Sequence, residues 1–282
     1  MAVNLASKYA KEVDERFSRA SQTSIALNNR YKFQGVRTVN VYHIPIVPLT
    51  NYDRNGTNGN GLYRYGTPVN LQNDLQELTL TQDRAFSFII DRADKNQTQM
   101  VMDAGRALTR EIREAVVPEI DAYVLDKIAR AAVAANQTAA TDATKSNAYE
   151  LFLDGQESLG NQNVPDSGRV CFCSYKFANL LMQDAAFMRD SQRTKEMIDK
   201  GILGEADGVK IVKVPASRLP DGCSFILTHP EAACAPKQLE DYKIHDNPPG
   251  ISGWLVEGRV IYDCFVLSQK VGATYYHGTP FS

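Results

Sequence analysis

The chain has 282 residues, room for one large domain or two of ordinary size. Thirty-one Lys and Arg against 33 Asp and Glu leave a formal net charge of −2, so there is no basic surplus to neutralise phosphates and a dedicated nucleic-acid binder is disfavoured. Charged residues at 23% and hydrophobic ones at 43% exclude the disordered and fibrous classes. The first 17 residues are interrupted by Lys8, Lys11, Glu12, Asp14, Glu15 and Arg16. They therefore offer neither the apolar run of a signal peptide nor a membrane span, and the chain is expected to stay in the cytosol where it is made.

In chain order, residues 3–29 read as an amphipathic helix with Ala6, Ala10, Val13, Phe17 and Ala20 on one stripe. That stripe needs a cover, either the chain's own core or a neighbouring subunit. From Val36 the texture becomes β. Thr38–Ile44 on one side, and Leu78–Thr81 with Phe86–Ile90 on the other, read as the two sides of one long hairpin. Between them Asn51–Gly61 holds four asparagines and three glycines, with Tyr52 its only large apolar side chain. Ordering such a segment costs about 1–2 kcal/mol per residue, which its own contacts cannot offset, so it is expected to lie across a neighbour. No lysine occurs between Lys32 and Lys95.

Asp94–Ala135 has the strongest helical pattern, with Met100, Val101, Ala104, Leu108, Ile112 and Val116 continued by Ile120, Val124, Ile128 and Ala131. It would span ~60 Å. Pro118 lies within it, lacking the backbone donor and crowding the carbonyl four residues back, so a kink or break is expected between Val117 and Glu119. A linker at 136–147 follows. Beyond it the pattern alternates: a helix with Tyr149, Phe152 and Leu153, a strand Arg169–Ser174, and a helix carrying Phe177, Leu181, Ala185 and Met188. Strands at 210–214 and 224–227 come next, and Val260–Leu267, apolar on both faces apart from Asp263, is expected at the centre of a sheet. The class is α+β, with one long helix and one long hairpin outside the body.

Signatures of chemistry are absent. Gly59-Asn60-Gly61 is not followed by a third glycine and a helix, and no Gly-Lys-Ser/Thr occurs. His43, His229, His245 and His277 fall in unrelated segments. Cys171, Cys173, Cys223, Cys234 and Cys264 form an odd set without disulfide or zinc spacing. Cys171 and Cys173 share a strand face, but a metal site needs two more ligands, so all five are read as reduced, buried thiols. No catalytic residue, cofactor or metal is assigned; a hydrolase with a Cys/His site assembled from distant segments remains the alternative from another class.

The order of elements, with Asp91-Arg92-Ala93-Asp94, Ala115–Tyr123 and the ending Val256–Leu267, resembles the major capsid proteins of tailed bacteriophages, the Hong Kong 97-like fold. The resemblance implies an N-terminal arm at 1–35, an extended loop at 36–92 and the spine helix of a peripheral domain at 93–145. It further implies an axial domain at 146–255 and a return strand at 256–282. It implies a shell subunit of pentamers and hexamers that encloses double-stranded DNA without specific binding, assembled in the host bacterial cytoplasm. A separate scaffolding protein and a portal are the implied partners, and no membrane is involved. Asn51, Tyr52, Arg54, Asn55 and Tyr63 would contact a neighbour from the loop tip, Ala10, Val13 and Phe17 would do so from the arm, and Pro118 would kink the spine helix. Without a loop lysine, welding of subunits through that loop is not expected. An encapsulin-like nanocompartment shell is the nearest alternative.

Overall fold

The computed structural model describes residues 21–28, 30, 31, 33, 37–43, 46–55, 64–71, 74–92, 104–135, 137–190 and 202–281. Ala10, Val13, Phe17 and Tyr63 lie outside them, as does the part of the expected long helix before Ala104. The chain divides into a small unit, Thr38–Thr79, and a larger one formed by Met1–Arg37 and Leu80–Ser282.

In the small unit β1 (Thr38–His43) pairs antiparallel with β2 (Asp74–Thr79), from Thr38 opposite Thr79 to His43 opposite Asp74. Phe86–Ile90 does not extend this hairpin. It belongs to β3 (Gln82–Asp91) of the larger unit, whose partner is a distant C-terminal strand. The reason is periodic: Phe86, Phe88 and Ile90 alternate with exposed Ala85, Ser87 and Ile89, so one face of β3 must pack on the body.

The long helix comprises α1 (Ala104–Glu111), a π-helical turn Ile112–Val116 and α2 (Val117–Ala134). Pro118 is the second residue of α2, and the backbone remains helical on entering it, with Val116 at φ −66°, ψ −48° and Val117 at φ −63°, ψ −47°. Val117 donates to the carbonyl of Ile112, five residues back. Widening the turn in this way accommodates a ring that has no donor and would crowd the carbonyl four residues back. The irregularity therefore precedes the proline, and the chain does not break at it.

Beyond the helix, the segment read as a linker contains a two-residue strand, β4 (Thr138–Ala139). Then come α3 (Ala148–Asn161), β5 (Val170–Ser174), α4 (Tyr175–Gln183) and α5 (Ala185–Asp190). Where one helix is expected from Phe177 to Met188 there are two, because Asp184 is extended and its Oδ1 accepts from the amide of Ala186 at 2.9 Å. The remaining strands are β6 (Ile202–Ala206), β7 (Val209–Val214), β8 (Cys223–Thr228), β9 (Ala233–Cys234), β10 (Lys237–Asp246), β11 (Gly253–Tyr262), β12 (Phe265–Val266) and β13 (Thr274–Gly278).

Six of them form one sheet in the order β4-β13-β8-β5-β7-β6, and three form another in the order β10-β11-β3. The apolar stripe of α1 and α2 is buried with residues of both, Phe172, Val212 and Ile226 from the first and Val256, Val260 and Tyr262 from the second. On the opposite face of the six-stranded sheet Cys171, Cys173, Phe225 and Leu227 pack with Phe152, Leu159, Phe177 and Leu181 of α3 and α4. Strand β5 is thus buried on both sides, which its unbroken Val-Cys-Phe-Cys run dictates. The terminal apolar strand expected at 260–267 lies earlier in the chain: β11 is central to its sheet but stops at Tyr262. Asp263 ends it, because its buried carboxylate turns to accept from Thr81 N (2.8 Å), Thr81 Oγ1 (2.7 Å), Tyr123 Oη (2.8 Å) and Cys264 N (2.7 Å).

The seat of α3 on the sheet is tight at Gly155, where an added Cβ would lie 2.6 Å from Leu227 Cδ1 and 3.0 Å from the Tyr275 ring. Gly155→Val should lower unfolding stability by about 1–3 kcal/mol through overpacking. Urea denaturation checks this, and an unchanged midpoint would mean that α3 does not rest there.

Candidate assembly surfaces

The small unit presents apolar side chains to solvent. Among the described residues, nine of the thirteen exposed large hydrophobics lie within it: Tyr42, Ile46, Val47, Leu49, Tyr52, Tyr65, Val69, Leu71 and Leu75. Ile46 is 94% exposed and Leu49 102%, as open as in an extended chain. Toward the tip the two sides are held in register by Asp53 N donating to the carbonyl of Arg64 (2.9 Å) and Thr50 Oγ1 donating to that of Tyr65 (2.9 Å). Tyr52 and Tyr65 meet edge to face with centroids 4.9 Å apart. Gly66, at φ +87°, turns the chain beside Thr50, where a Cβ would come within 2.9 Å of Oγ1. Asn51, Tyr52, Arg54 and Asn55 are all exposed, and Asn55 N donates to Asp53 Oδ1 at 3.2 Å.

Sequence reasoning put weight on the Asn/Gly tip and missed the apolar run beside it. Ile44-Pro45-Ile46-Val47-Pro48-Leu49 carried the signal: two prolines remove ladder donors, so these side chains cannot belong to a central strand and need another cover.

In the larger unit residues 21–28 and 30 are stitched to the rest by hydrogen bonds. The expected helix 3–29 does not extend through its last part, since residues 21–28 contain only a short 3-10 turn, Ser24–Ala26. Ser, Thr and Gln there bond outward rather than along a helix. Ser21 Oγ and Thr23 Oγ1 each donate to Asp121 Oδ1 at 2.8 Å, and Gln22 N donates to Asp121 Oδ2 at 3.0 Å. Further along, Asn28 N donates to the carbonyl of Ala233 (3.0 Å), and Arg30 meets Glu231 at 2.6 Å. Asp121 was legible as an anomaly: at i−3 and i−4 from buried Val124 and Leu125, it is a carboxylate on an apolar helix face.

Among the described residues no three His, Cys, Asp or Glu are grouped to hold a metal ion, and no helix is long and apolar enough to cross a membrane. All five cysteines are free and buried. Burial pushes the Cys173 thiol up to about 12 and that of Cys234 to about 11, far from a nucleophilic thiolate at neutral pH. His43 lies in β1, His229 meets the carbonyl of Ser167 at 3.2 Å, and His245 meets Glu257 at 3.1 Å. His277 is buried and stacked on Phe225, with centroids 4.9 Å apart.

No protein-family model matches the chain, and no curated protein matches its sequence. Solved structures do. That of Mycobacterium phage Che8 superposes with a TM-score of 0.70 at 18% identity, covering 90% of this chain and 89% of that one. The capsid of cyanophage P-SCSP1u gives 0.65 at 13% identity, covering 89% and 86%. The virus-like particle from Pyrococcus furiosus gives 0.59 at 10% identity, covering 98% and 100%. The chain has the fold of phage capsid subunits. Its mixed helix and sheet architecture is shared over nearly its whole length with these proteins, at identities where only the fold is common.

His277 adds a dependence on pH. Burial holds its pKa below the ordinary histidine range, opposed by the charge of Asp154, and neither ring nitrogen has a hydrogen-bond partner among the described residues. The folded state then binds fewer protons than the unfolded one, so this stability is intact above about pH 6.5 and is lost as pH falls. Between pH 7 and pH 5 the parent should lose more stability than His277→Phe in parallel urea titrations; equal losses would refute the assignment.

Proposed function

We propose that the chain is the major capsid subunit of a tailed bacteriophage, a structural protein rather than an enzyme, which assembles as pentamers and hexamers into an icosahedral shell around double-stranded DNA. The observation that carries this reading is the conjunction of a capsid fold over about nine tenths of the chain with a ribbon unit whose apolar side chains are exposed. The extended loop would be the part of 36–92 that forms the small unit, 38–79, with 93–145 as the spine helix, 146–255 as the axial domain and 256–282 as the return to the periphery. Loop residues Asn51, Tyr52, Arg54, Asn55 and Tyr63 would meet a neighbouring copy. Ile46, Leu49 and Tyr65 join them because their apolar surface needs cover. Ala10, Val13 and Phe17 would do the same from the arm. A net charge of −2 suits a wall that encloses DNA without gripping it. The separate scaffolding protein and the portal belong to the same reading, which puts the mature protein in the virion.

A nanocompartment shell is the second reading, favoured by the full-length superposition on the Pyrococcus furiosus particle. What co-purifies with assembled particles separates the two: DNA and phage proteins for the first, one cargo enzyme for the second.

Covering a side chain such as Ile46 or Leu49 stabilises a contact by about 1.5–3 kcal/mol. The double variant Ile46→Asn, Leu49→Asn should therefore keep the parent's unfolding stability within about 0.5 kcal/mol, since neither side chain is buried in the isolated chain. Sedimentation should show the parent in large particles and the variant as small species. A variant that assembles like the parent would remove the ribbon from the interface.

A further inference from the structure

The carboxylate of Asp121 is 0% exposed, and each of its oxygens accepts two hydrogen bonds. Oδ1 takes the hydroxyls of Ser21 and Thr23, while Oδ2 takes the amide of Gln22 and Arg218 Nη1 at 2.9 Å. Four donors match the four lone-pair sites of an ionised carboxylate, and the guanidinium supplies the compensating charge. Three of the four donors come from consecutive residues, and the other bonds of Gln22 strengthen the same attachment: its Nε2 donates to the carbonyl of Lys213 (3.2 Å) and its Oε1 accepts from Arg218 (3.3 Å). Removing the hydroxyls would leave the Asp121–Arg218 pair in place, so this cluster is built to hold residues 21–23 and not merely to satisfy a buried charge.

We propose that Asp121 is the positioning residue for the N-terminal arm: by clamping residues 21–23 to α2 it fixes the point on the body from which the preceding twenty residues set out, and hence which neighbouring copy they reach. The proposal deepens the capsid reading and rests on it.

The test uses the full chain under assembly conditions. Ser21→Ala with Thr23→Val removes two of the donors and spares the ion pair. The global urea transition should remain a single cooperative one with only a modestly lowered midpoint, hydrogen exchange at residues 21–26 should accelerate at least tenfold in the unassembled chain, and the yield of closed particles should fall at least fivefold in favour of aberrant ones. The conservative exchange Ser21→Thr with Thr23→Ser retains both hydroxyls and should restore slow exchange and closed particles. Asp121→Asn, which keeps a single acceptor oxygen, should accelerate exchange at the same residues. If exchange does not accelerate in the first variant, the clamp is refuted. If it accelerates while closed particles form as in the parent, the clamp exists but does not direct the arm, and the capsid reading stands. If the parent itself never forms particles, the capsid reading falls and the proposal with it.

Discussion

A ribbon of two six-residue strands leaves most of its large apolar side chains uncovered, and the shell reading proposed for this protein depends on that constraint. Two paired strands have two faces and no second layer, and Ile46 and Leu49 stand open to solvent. In an ordinary monomer such surface would be an aggregation hazard. In a subunit that meets identical copies in a closed arrangement it is an unfinished interface, completed only by assembly.

The larger unit supplies the opposite property, a body that is complete without help. Its long helix is buried with residues of both sheets, and the six-stranded sheet is covered on both faces. Two buried carboxylates hold distant parts of the chain: Asp121 receives residues 21–23, and Asp263 ends β11 and takes up Thr81. Tyr123, two residues along α2 from Asp121, donates to Asp263, so a single stretch of helix serves both. Buried carboxylates of this kind cost solvation and are tolerated only when every lone pair finds a donor, which makes each attachment specific in geometry.

Much of this was legible in the sequence. The 3.6-residue period of the long helix, the Val-Cys-Phe-Cys strand and the β texture at 38–43 all reported local facts that the fold preserves. What could not be read was pairing at a distance. Phe86–Ile90 has the composition of a hairpin strand, and nothing local says that its partner is Gly253–Tyr262, more than 160 residues away. The end of β11 at Asp263 and the loss of helix at 21–28 share one cause: a polar side chain took a tertiary hydrogen bond in preference to continuing the local pattern. The apolar run around Ile46 was visible, yet its meaning depended on its exposure, which composition does not report.

The most direct measurement of the central claim is hydrogen exchange by mass spectrometry on residues 38–79, compared between dispersed subunits and purified particles under the same buffer. Covered ribbon surface predicts strong added protection at 46–52 and 64–71 in particles, with exchange in the six-stranded sheet unchanged. Equal exchange in the two states would contradict the account, since the apolar ribbon would then be as open in the assembly as in the free chain.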